Sequence, residues 1–235
     1  MSDNWASFAK RLAEERMVIL VDMRDHGRSQ HTNEFNYPLL AEDLAEMMEE
    51  HWIHQADIMG HSMGGKAAMS LASIHPAMVR RLIVVDIGPG ENPDRHTDIF
   101  KAMESMEIKN NHSRKAIEED LFDHINSLST VRFLMKNLSR DKENGGFKWK
   151  MNLPLLKKHF NEILAPIELD YIDVPTLFIR GEHSDYIDES QEHIIKEKFE
   201  EHQLITIKGA GHWVHADQPD ALFTALYDFL NKNNG

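Results

Sequence analysis

The sequence predicts an α/β fold: a parallel sheet of about five strands with helices on both faces, and an inserted helical cap. Short apolar runs alternate with segments of helical periodicity, and a glycine-flanked turn joins one such run directly to a helix. A long charged stretch with helical patterns interrupts this alternation. A chain of 235 residues can bury one substantial core. We therefore expect an α/β core formed by residues 1–89 and 174–235, with residues 90–173 as the cap.

The predicted strands are short apolar runs bounded by loops. They are Met17–Met23, Ala56–Gly60, Leu82–Ile87, Thr176–Ile179 and Leu204–Ile207. The first of them, MVILVDM, is a continuous apolar run typical of a strand that is buried on both faces. Apolar residues at helical spacing predict helices in the segments between and around the strands. These helices are Asn4–Glu15, Pro38–His51, Met63–His75, Glu189–Phe199 and Asp220–Leu230.

The interruption between the third and fourth predicted strands spans Gly90–Asp173. It has four helical patterns and no convincing strand, the patterns lying at Ile99–Met106, Arg114–Asn126, Val131–Leu138 and Leu155–Leu164. The segment leaves and rejoins the core near the C-terminal ends of strands, where open α/β sheets bind ligands. We therefore expect a lid; the alternative is an appendage that contributes only to packing.

The motif Gly60–Gly64, GHSMG, fits the pattern G-x-S-x-G of a nucleophile elbow. In such a turn Ser62 lies at a strained apex, and the flanking glycines let strand and helix approach closely. The first helical N–H group, that of Met63, would then point to the place where an oxyanion forms. The alternative is an ordinary strand-to-helix turn that contains a serine.

A serine nucleophile needs a base and an orienting acid, which follow it in the chain order Ser, Asp or Glu, His when the turn is a nucleophile elbow. His212 lies in a glycine-flanked loop after the last predicted strand and is the candidate base. Two aspartates are candidate acids: Asp86, at the end of the strand after the elbow, and Asp185, in the loop after the next strand. A carboxylate within the apolar run around Asp86 would be costly without a polar partner, so a partner is expected.

Composition excludes several classes of function. The chain has 26 Lys and Arg against 39 Asp and Glu, a net charge of −13, which argues against binding to nucleic acid or to an anionic membrane surface. It has no cysteine, so a disulfide framework, a thiolate nucleophile and a cysteine-based zinc site are excluded. The sequence has no H-x-x-x-H or H-E-x-x-H pair that suggests a metal site, and we expect neither a metal nor another cofactor. Without a signal peptide or a long apolar run, the sequence predicts a soluble, cytoplasmic protein.

The segments VDMRDHGRS, GHSMGGKAAM, VVDIGP and GAGHWVHADQPDAL together resemble the α/β-hydrolase superfamily. The chain is particularly similar to its small bacterial acyl-ester and thioester hydrolases, along nearly all of its length. This resemblance implies that the aspartate of VDI, Asp86, is the acid, with Asp185 as an alternative. It also implies that a chain with serine at position 62 does not belong to the dehalogenase and epoxide-hydrolase branches, which use aspartate there.

The start of the chain departs from the family pattern. By resemblance, members begin with two or three strands that end in an HG-x-x-G oxyanion loop, whereas this chain opens at residues 1–5, where that loop would finish. We therefore expect an N-terminally shortened α/β-hydrolase fold without the oxyanion loop. Either the start has been assigned at an internal methionine, or Met17–Met23 and Ala56–Gly60 pair directly and satisfy each other's backbone groups.

Two functions follow from these residues. The first is a serine hydrolase that cleaves small-molecule carboxylic esters or acyl thioesters through an acyl-enzyme on Ser62, with His212 as base, Asp86 as orienting acid and the Met63 N–H as oxyanion donor. The second is a catalytically weak or inactive binding protein of the same fold, because the oxyanion loop is missing.

Overall fold

The computed structural model describes residues 2–106, 108 and 113–232. Within these ranges it has six strands: β1 Ala56–His61, β2 Val79–Val85, β3 Leu138–Arg140, β4 Phe147–Trp149, β5 Thr176–Gly181 and β6 His202–Ile207. The α-helices of the same residues are α1 Ala6–Leu12, α2 Tyr37–Glu50, α3 Met63–Ile74, α4 Thr97–Ser105, α5 Arg114–Ile125, α6 Leu128–Met135, α7 Leu153–Lys158, α8 Phe160–Leu164, α9 Glu189–Lys198, α10 Val214–Asp217 and α11 Pro219–Asn231. Two 3₁₀ turns lie at Ser2–Asn4 and Pro76–Met78. No helix in the described ranges combines the length and the apolar character that spanning a membrane requires.

The main sheet has four parallel strands in the order β1-β2-β5-β6. The predicted α/β fold with a parallel sheet is therefore confirmed, and the sheet has four strands where about five were predicted. The segment Met17–Met23 forms no strand, and Met17 is 82% exposed. A strand is stable only when a neighbour pairs with its backbone, and the apolar pattern of a segment does not supply that neighbour. Direct pairing of this segment with the strand at Ala56 is therefore wrong.

The described residues form two compact units. One comprises the described residues of Met1–Glu34 and Asp94–Phe160, and the other comprises those of Phe35–Pro93 and Asn161–Gly235. The main sheet belongs entirely to the second unit. The predicted cap boundaries, residues 90–173, remain a prediction.

The first unit has an apolar core of its own among helices α4 to α6. It is formed by buried side chains of these helices and of the segments after them, including Met103, Ile117, Leu121, Val131 and Phe147. Strands β3 and β4 form an antiparallel hairpin at the edge of this core, where the sequence showed no convincing strand. Each of these strands has three residues, which is too short for a period of two to be recognised.

The second unit places helix α3 against the sheet and helix α2 outside it. Helix α2 packs on α3, and α3 packs on β1 and β2. The Asn36 side chain caps α2 by accepting a hydrogen bond of 2.8 Å from the N–H of Leu39, and a proline in the first turn favours the helical start. Beneath these helices the side chains of Leu82, Ile83 and Phe178 are almost completely buried. Strands β1 and β2 thus run through a well-buried core and end directly before Ser62 and Asp86.

Candidate active site

Ser62 is the single residue between strand β1 and helix α3. Its φ of 54° and ψ of −127° lie in a region that side-chain-bearing residues rarely adopt, at a cost of about 1–3 kcal/mol. The backbone is held there on both sides: the Ser62 N–H donates to the carbonyl of Val85 at 3.0 Å, and the Ser62 carbonyl accepts from the N–H of Gly65 at 2.7 Å. The turn therefore has the strained conformation that the sequence motif predicted.

The glycines around Ser62 have different roles. A Cβ atom on Gly60 would lie 2.0 Å from the carbonyl oxygen of Gly64, so strand and helix could not approach each other as they do. A Cβ atom on Gly65 would lie 2.5 Å from a methyl group of Ile87. A Cβ atom on Gly64 would meet nothing within 4 Å. Close packing therefore requires glycine at 60 and 65, whereas position 64 has free space.

Asp86 follows strand β2 and is completely buried. Its carboxylate has three donors: the N–H of Gly181 at 2.8 Å on Oδ1, and on Oδ2 both the hydroxyl of Ser184 and Nδ1 of His212, the latter at 2.8 Å. These bonds compensate for the loss of water around a buried carboxylate. The polar partner expected from the sequence is thus present.

His212 lies in the loop between strand β6 and helix α10, and its side chain is 14% exposed. Because the carboxylate of Asp86 can only accept, Nδ1 of His212 carries the proton of their hydrogen bond. In the neutral ring Nε2 is then an acceptor, and it lies 3.2 Å from the Ser62 hydroxyl oxygen. The three side chains form a continuous series from carboxylate to imidazole to hydroxyl.

The remaining candidates occupy different positions. Asp185 is exposed in the loop after strand β5, and the hydrogen bonds of the His212 ring run to Asp86 and Ser62. Met63 is the first residue of helix α3, whose first N–H groups have no partner within the helix. The structure therefore brings Ser62, Asp86 and His212 together, with Met63 adjacent, and leaves Asp185 at the surface.

A group of rings that the sequence analysis missed surrounds the imidazole of His212. Tyr186 stacks on it with ring centroids 4.2 Å apart and an interplanar angle of 23°. The centroids of His61 and Trp213 lie 4.7 Å and 5.1 Å from it, and the ring of His215 lies 5.5 Å from that of His61. We call these five rings the ring cluster. Three of its members are near neighbours of Ser62 or His212 in the chain, but only the fold shows that their rings meet.

His61 is a titratable member of the ring cluster, and its surroundings shift its pKa. Burial holds the pKa of His61 well below 6.5, and positive charge on His212 or His215 would lower this pKa further. His61 is therefore neutral at physiological pH. Its Nε2 lies 2.8 Å from the backbone carbonyl oxygen of His212.

Comparisons with known proteins agree with this architecture. The model of the alpha/beta hydrolase fold family matches residues 1–219. The chain is similar to the esterase YbfF of Escherichia coli strain K12, with 34% identity over 97% of this chain and 88% of that protein. It is also similar to the mouse protein named sn-1-specific diacylglycerol lipase ABHD11, with 35% identity over 97% of this chain and 76% of that protein.

Among solved structures, one described as a marine microorganism esterase superposes with a TM-score of 0.93. It is 39% identical, and the match covers 97% of this chain and 90% of that one. The match of the family model to most of the chain, together with relatives above 30% identity, identifies the family. This chain belongs to the alpha/beta hydrolase fold family.

Proposed function

We propose that the protein is a serine hydrolase that cleaves carboxylic esters or acyl thioesters through a covalent intermediate on Ser62. The observation that carries this proposal is the hydrogen-bonded series from Asp86 through His212 to Ser62, with distances of 2.8 Å and 3.2 Å. Relatives named esterase and diacylglycerol lipase support ester substrates.

In the acylation step the Ser62 oxygen attacks the acyl carbonyl carbon while Nε2 of His212 takes the hydroxyl proton. The His212 ring becomes an imidazolium, which the buried carboxylate of Asp86 stabilises without taking the proton itself. The tetrahedral intermediate then collapses, the bond to the alcohol or thiol breaks, and Nε2 returns the proton to the leaving group. An acyl ester on Ser62 remains.

In the deacylation step water takes the place of the leaving group. Nε2 of His212 removes a proton from the water while the water oxygen attacks the acyl carbon. Nε2 then protonates the Ser62 oxygen as the carboxylic acid is released. One water is consumed per ester, and the enzyme returns to its starting protonation state.

The negative charge on the carbonyl oxygen needs a hydrogen-bond donor in each tetrahedral intermediate. We assign one donor to the N–H of Met63, the first residue of helix α3, which also lies in the positive field of the helix N-terminus. Loss of one such donor typically lowers turnover by ~10²–10³-fold. The contribution of this single backbone group to turnover is therefore expected to be large.

The proposal is tested with two substrates that share an acyl group, p-nitrophenyl butyrate and the butyryl thioester of N-acetylcysteamine. A fluorophosphonate probe in parallel reports whether the Ser62 hydroxyl is activated, even where turnover is slow. Hydrolysis of either substrate together with labelling, both lost in Ser62→Ala, supports the proposal. A protein that neither turns over these substrates nor reacts with the probe contradicts it and favours the alternative of a binding protein.

A further inference from the structure

His61 links the strand that carries the proposed nucleophile to the loop that carries the proposed base. It is the last residue of β1, directly before Ser62, and its Nε2 lies 2.8 Å from the carbonyl oxygen of His212. A carbonyl oxygen only accepts hydrogen bonds, so Nε2 of His61 carries the proton and donates it. One hydrogen bond therefore joins the elbow to the backbone of the base, 151 positions further along the chain.

The loop around His212 has little intrinsic stiffness. Gly209 and Gly211 precede His212, and Gly209 adopts a φ of 70°. Glycines leave a backbone more conformations than other residues, so this loop depends on contacts that hold it. The N–H of Gly211 donates to the carboxylate of Asp217 at 2.9 Å, but this bond lies within the loop and its following helix. The bond from His61 joins the backbone of residue 212 to strand β1. It adds to two bonds that hold the loop elsewhere: the side-chain bond from His212 to Asp86, and the bond from the N–H of His183 to the carbonyl of Ala210.

The ring of His61 adds a second link between the strand and the loop, this time by packing against other rings. Its centroid lies 4.7 Å from the ring of His212, 5.5 Å from that of Trp213 and 5.5 Å from that of His215. The main chain and the side chain of His212 are thus both in contact with the residue before the nucleophile. A shift of this loop would change the distance between Nε2 of His212 and the Ser62 hydroxyl directly.

The neutral state of His61 is compatible with the positive charge that the proposed mechanism forms on His212. The proposed mechanism forms an imidazolium at His212, and a second cation in the adjacent ring would oppose it, most strongly in a water-poor site. Burial keeps the pKa of His61 low, so the ring donates its hydrogen bond without adding a charge. A lysine or arginine at this position could donate the same bond but would carry a positive charge.

We propose that His61 is a positioning residue: its neutral imidazole holds the backbone of His212 so that Nε2 stays within reach of the Ser62 hydroxyl. This inference rests on the proposed function. In this role His61 acts through His212, to whose backbone and ring it makes its contacts. Its loss should therefore lower kcat and leave KM largely unchanged, because the acyl site itself is not altered.

Two variants separate the hydrogen bond from the volume of the ring. His61→Gln replaces the ring by an amide whose N–H groups can reach the same carbonyl, and His61→Phe keeps a ring of similar size without the donor. Melting temperatures of both variants confirm that each is folded at the assay temperature. If His61→Phe unfolds below that temperature, His61→Leu takes its place as the variant without a donor.

The expected result is a loss of about 10²-fold in kcat for His61→Phe, the size that a displacement of about 1 Å produces, with KM within about threefold of the parent. His61→Gln should recover most of this loss. The rate of reaction with a fluorophosphonate should fall in the same order, because it depends on the same activation of Ser62 but not on ester binding.

Two results would overturn the inference: turnover of His61→Phe equal to that of the parent, or equal losses in the Gln and Phe variants at similar melting temperatures. Ser62→Ala in the parent background distinguishes this failure from failure of the proposed function. If Ser62→Ala abolishes turnover and the His61 variants remain fully active, the function stands and only the positioning role is wrong. If Ser62→Ala keeps its turnover, the proposed function itself is wrong.

Discussion

Nδ1 of His212 lies 2.8 Å from Oδ2 of the fully buried Asp86, whereas Asp185 is exposed. Asp86→Asn should therefore lower kcat by about 10⁴-fold, because an amide at this position favours the wrong tautomer of the imidazole and no longer stabilises the imidazolium. Asp185→Asn is the matched control and should change kcat by less than about threefold. Steady-state kinetics with one ester decide the ranking, and the reverse order would assign the acid to the later loop.

The two glycines of the GHSMG turn provide a test of packing. Gly60→Ala should destabilise the fold by about 3 kcal/mol or more, because its Cβ would lie 2.0 Å from the backbone oxygen of Gly64. Gly64→Ala should change the free energy of unfolding by no more than about 1 kcal/mol, since a Cβ there meets nothing within 4 Å. Urea unfolding of the two variants measures the difference. Similar stability of both would contradict the close approach of strand and helix at position 60.

His26 should make the free energy of unfolding depend on pH in the acidic range. Burial lowers its pKa from 6.5 to about 4, and its Nδ1 lies 3.0 Å from the carbonyl oxygen of Arg24. Between pH 6.5 and 4 the unfolded chain binds a proton at His26 and the folded chain does not, so the free energy of unfolding falls as pH falls through this window. His26→Asn should reduce that fall, because asparagine does not titrate in this window. The substitution should change the free energy of unfolding less above pH 7 than within the window. Thermal melts across this pH range check the prediction, and identical slopes in parent and variant would contradict it.

Lys66 should have a dependence of the same sign in the alkaline range. It is 1% exposed in helix α3, and its ammonium group donates to the carbonyls of Leu164 and Ala165, at 3.3 Å and 2.6 Å. Burial lowers the pKa of Lys66 from 10.5 to about 8. From pH 8 to 10.5 the unfolded chain therefore holds more protons at this residue, and the free energy of unfolding should rise with pH relative to Lys66→Met. Urea unfolding of both proteins at pH 7.5 and 9.5 measures this difference; a parent that loses stability relative to the variant would contradict the sign.

Parts of the site could be predicted from the sequence because they follow from chain order and local motif. Ser62 lies in a pattern whose turn conformation depends on a few adjacent residues, and Asp86 and His212 each follow an apolar run that became a parallel strand. Parallel strands bring their C-terminal ends to one edge of a sheet, so these residues could be expected to meet. Local pattern alone left the choice between Asp86 and Asp185 open, because both lie at or after the end of an apolar run. The family resemblance favoured Asp86, and the fold places Asp86 at His212.

Other parts depended on long-range contacts that no local pattern contains. The run Met17–Met23 has the composition of a buried strand but lacks a paired neighbour in the structure. The ring of Tyr186 stacks on His212 from another loop, and the hydrogen bond from His61 to the backbone of His212 spans 151 positions. Side-chain packing between distant loops is not visible in periodicity, which describes only the element to which a residue belongs.

The dependence of Ser62 on His212 is measured by the ester turnover of four proteins: the parent, Ser62→Ala, His212→Ala and the double variant. In the proposed mechanism Ser62 and His212 act as one unit, and the 3.2 Å separation of Nε2 from the hydroxyl oxygen supports this. Each single variant should therefore lose nearly all turnover, by about 10⁶-fold, and the double variant should be no worse than either. A double variant far less active than both single variants, or a Ser62→Ala protein that keeps its turnover, would contradict catalysis by an acyl-enzyme on Ser62.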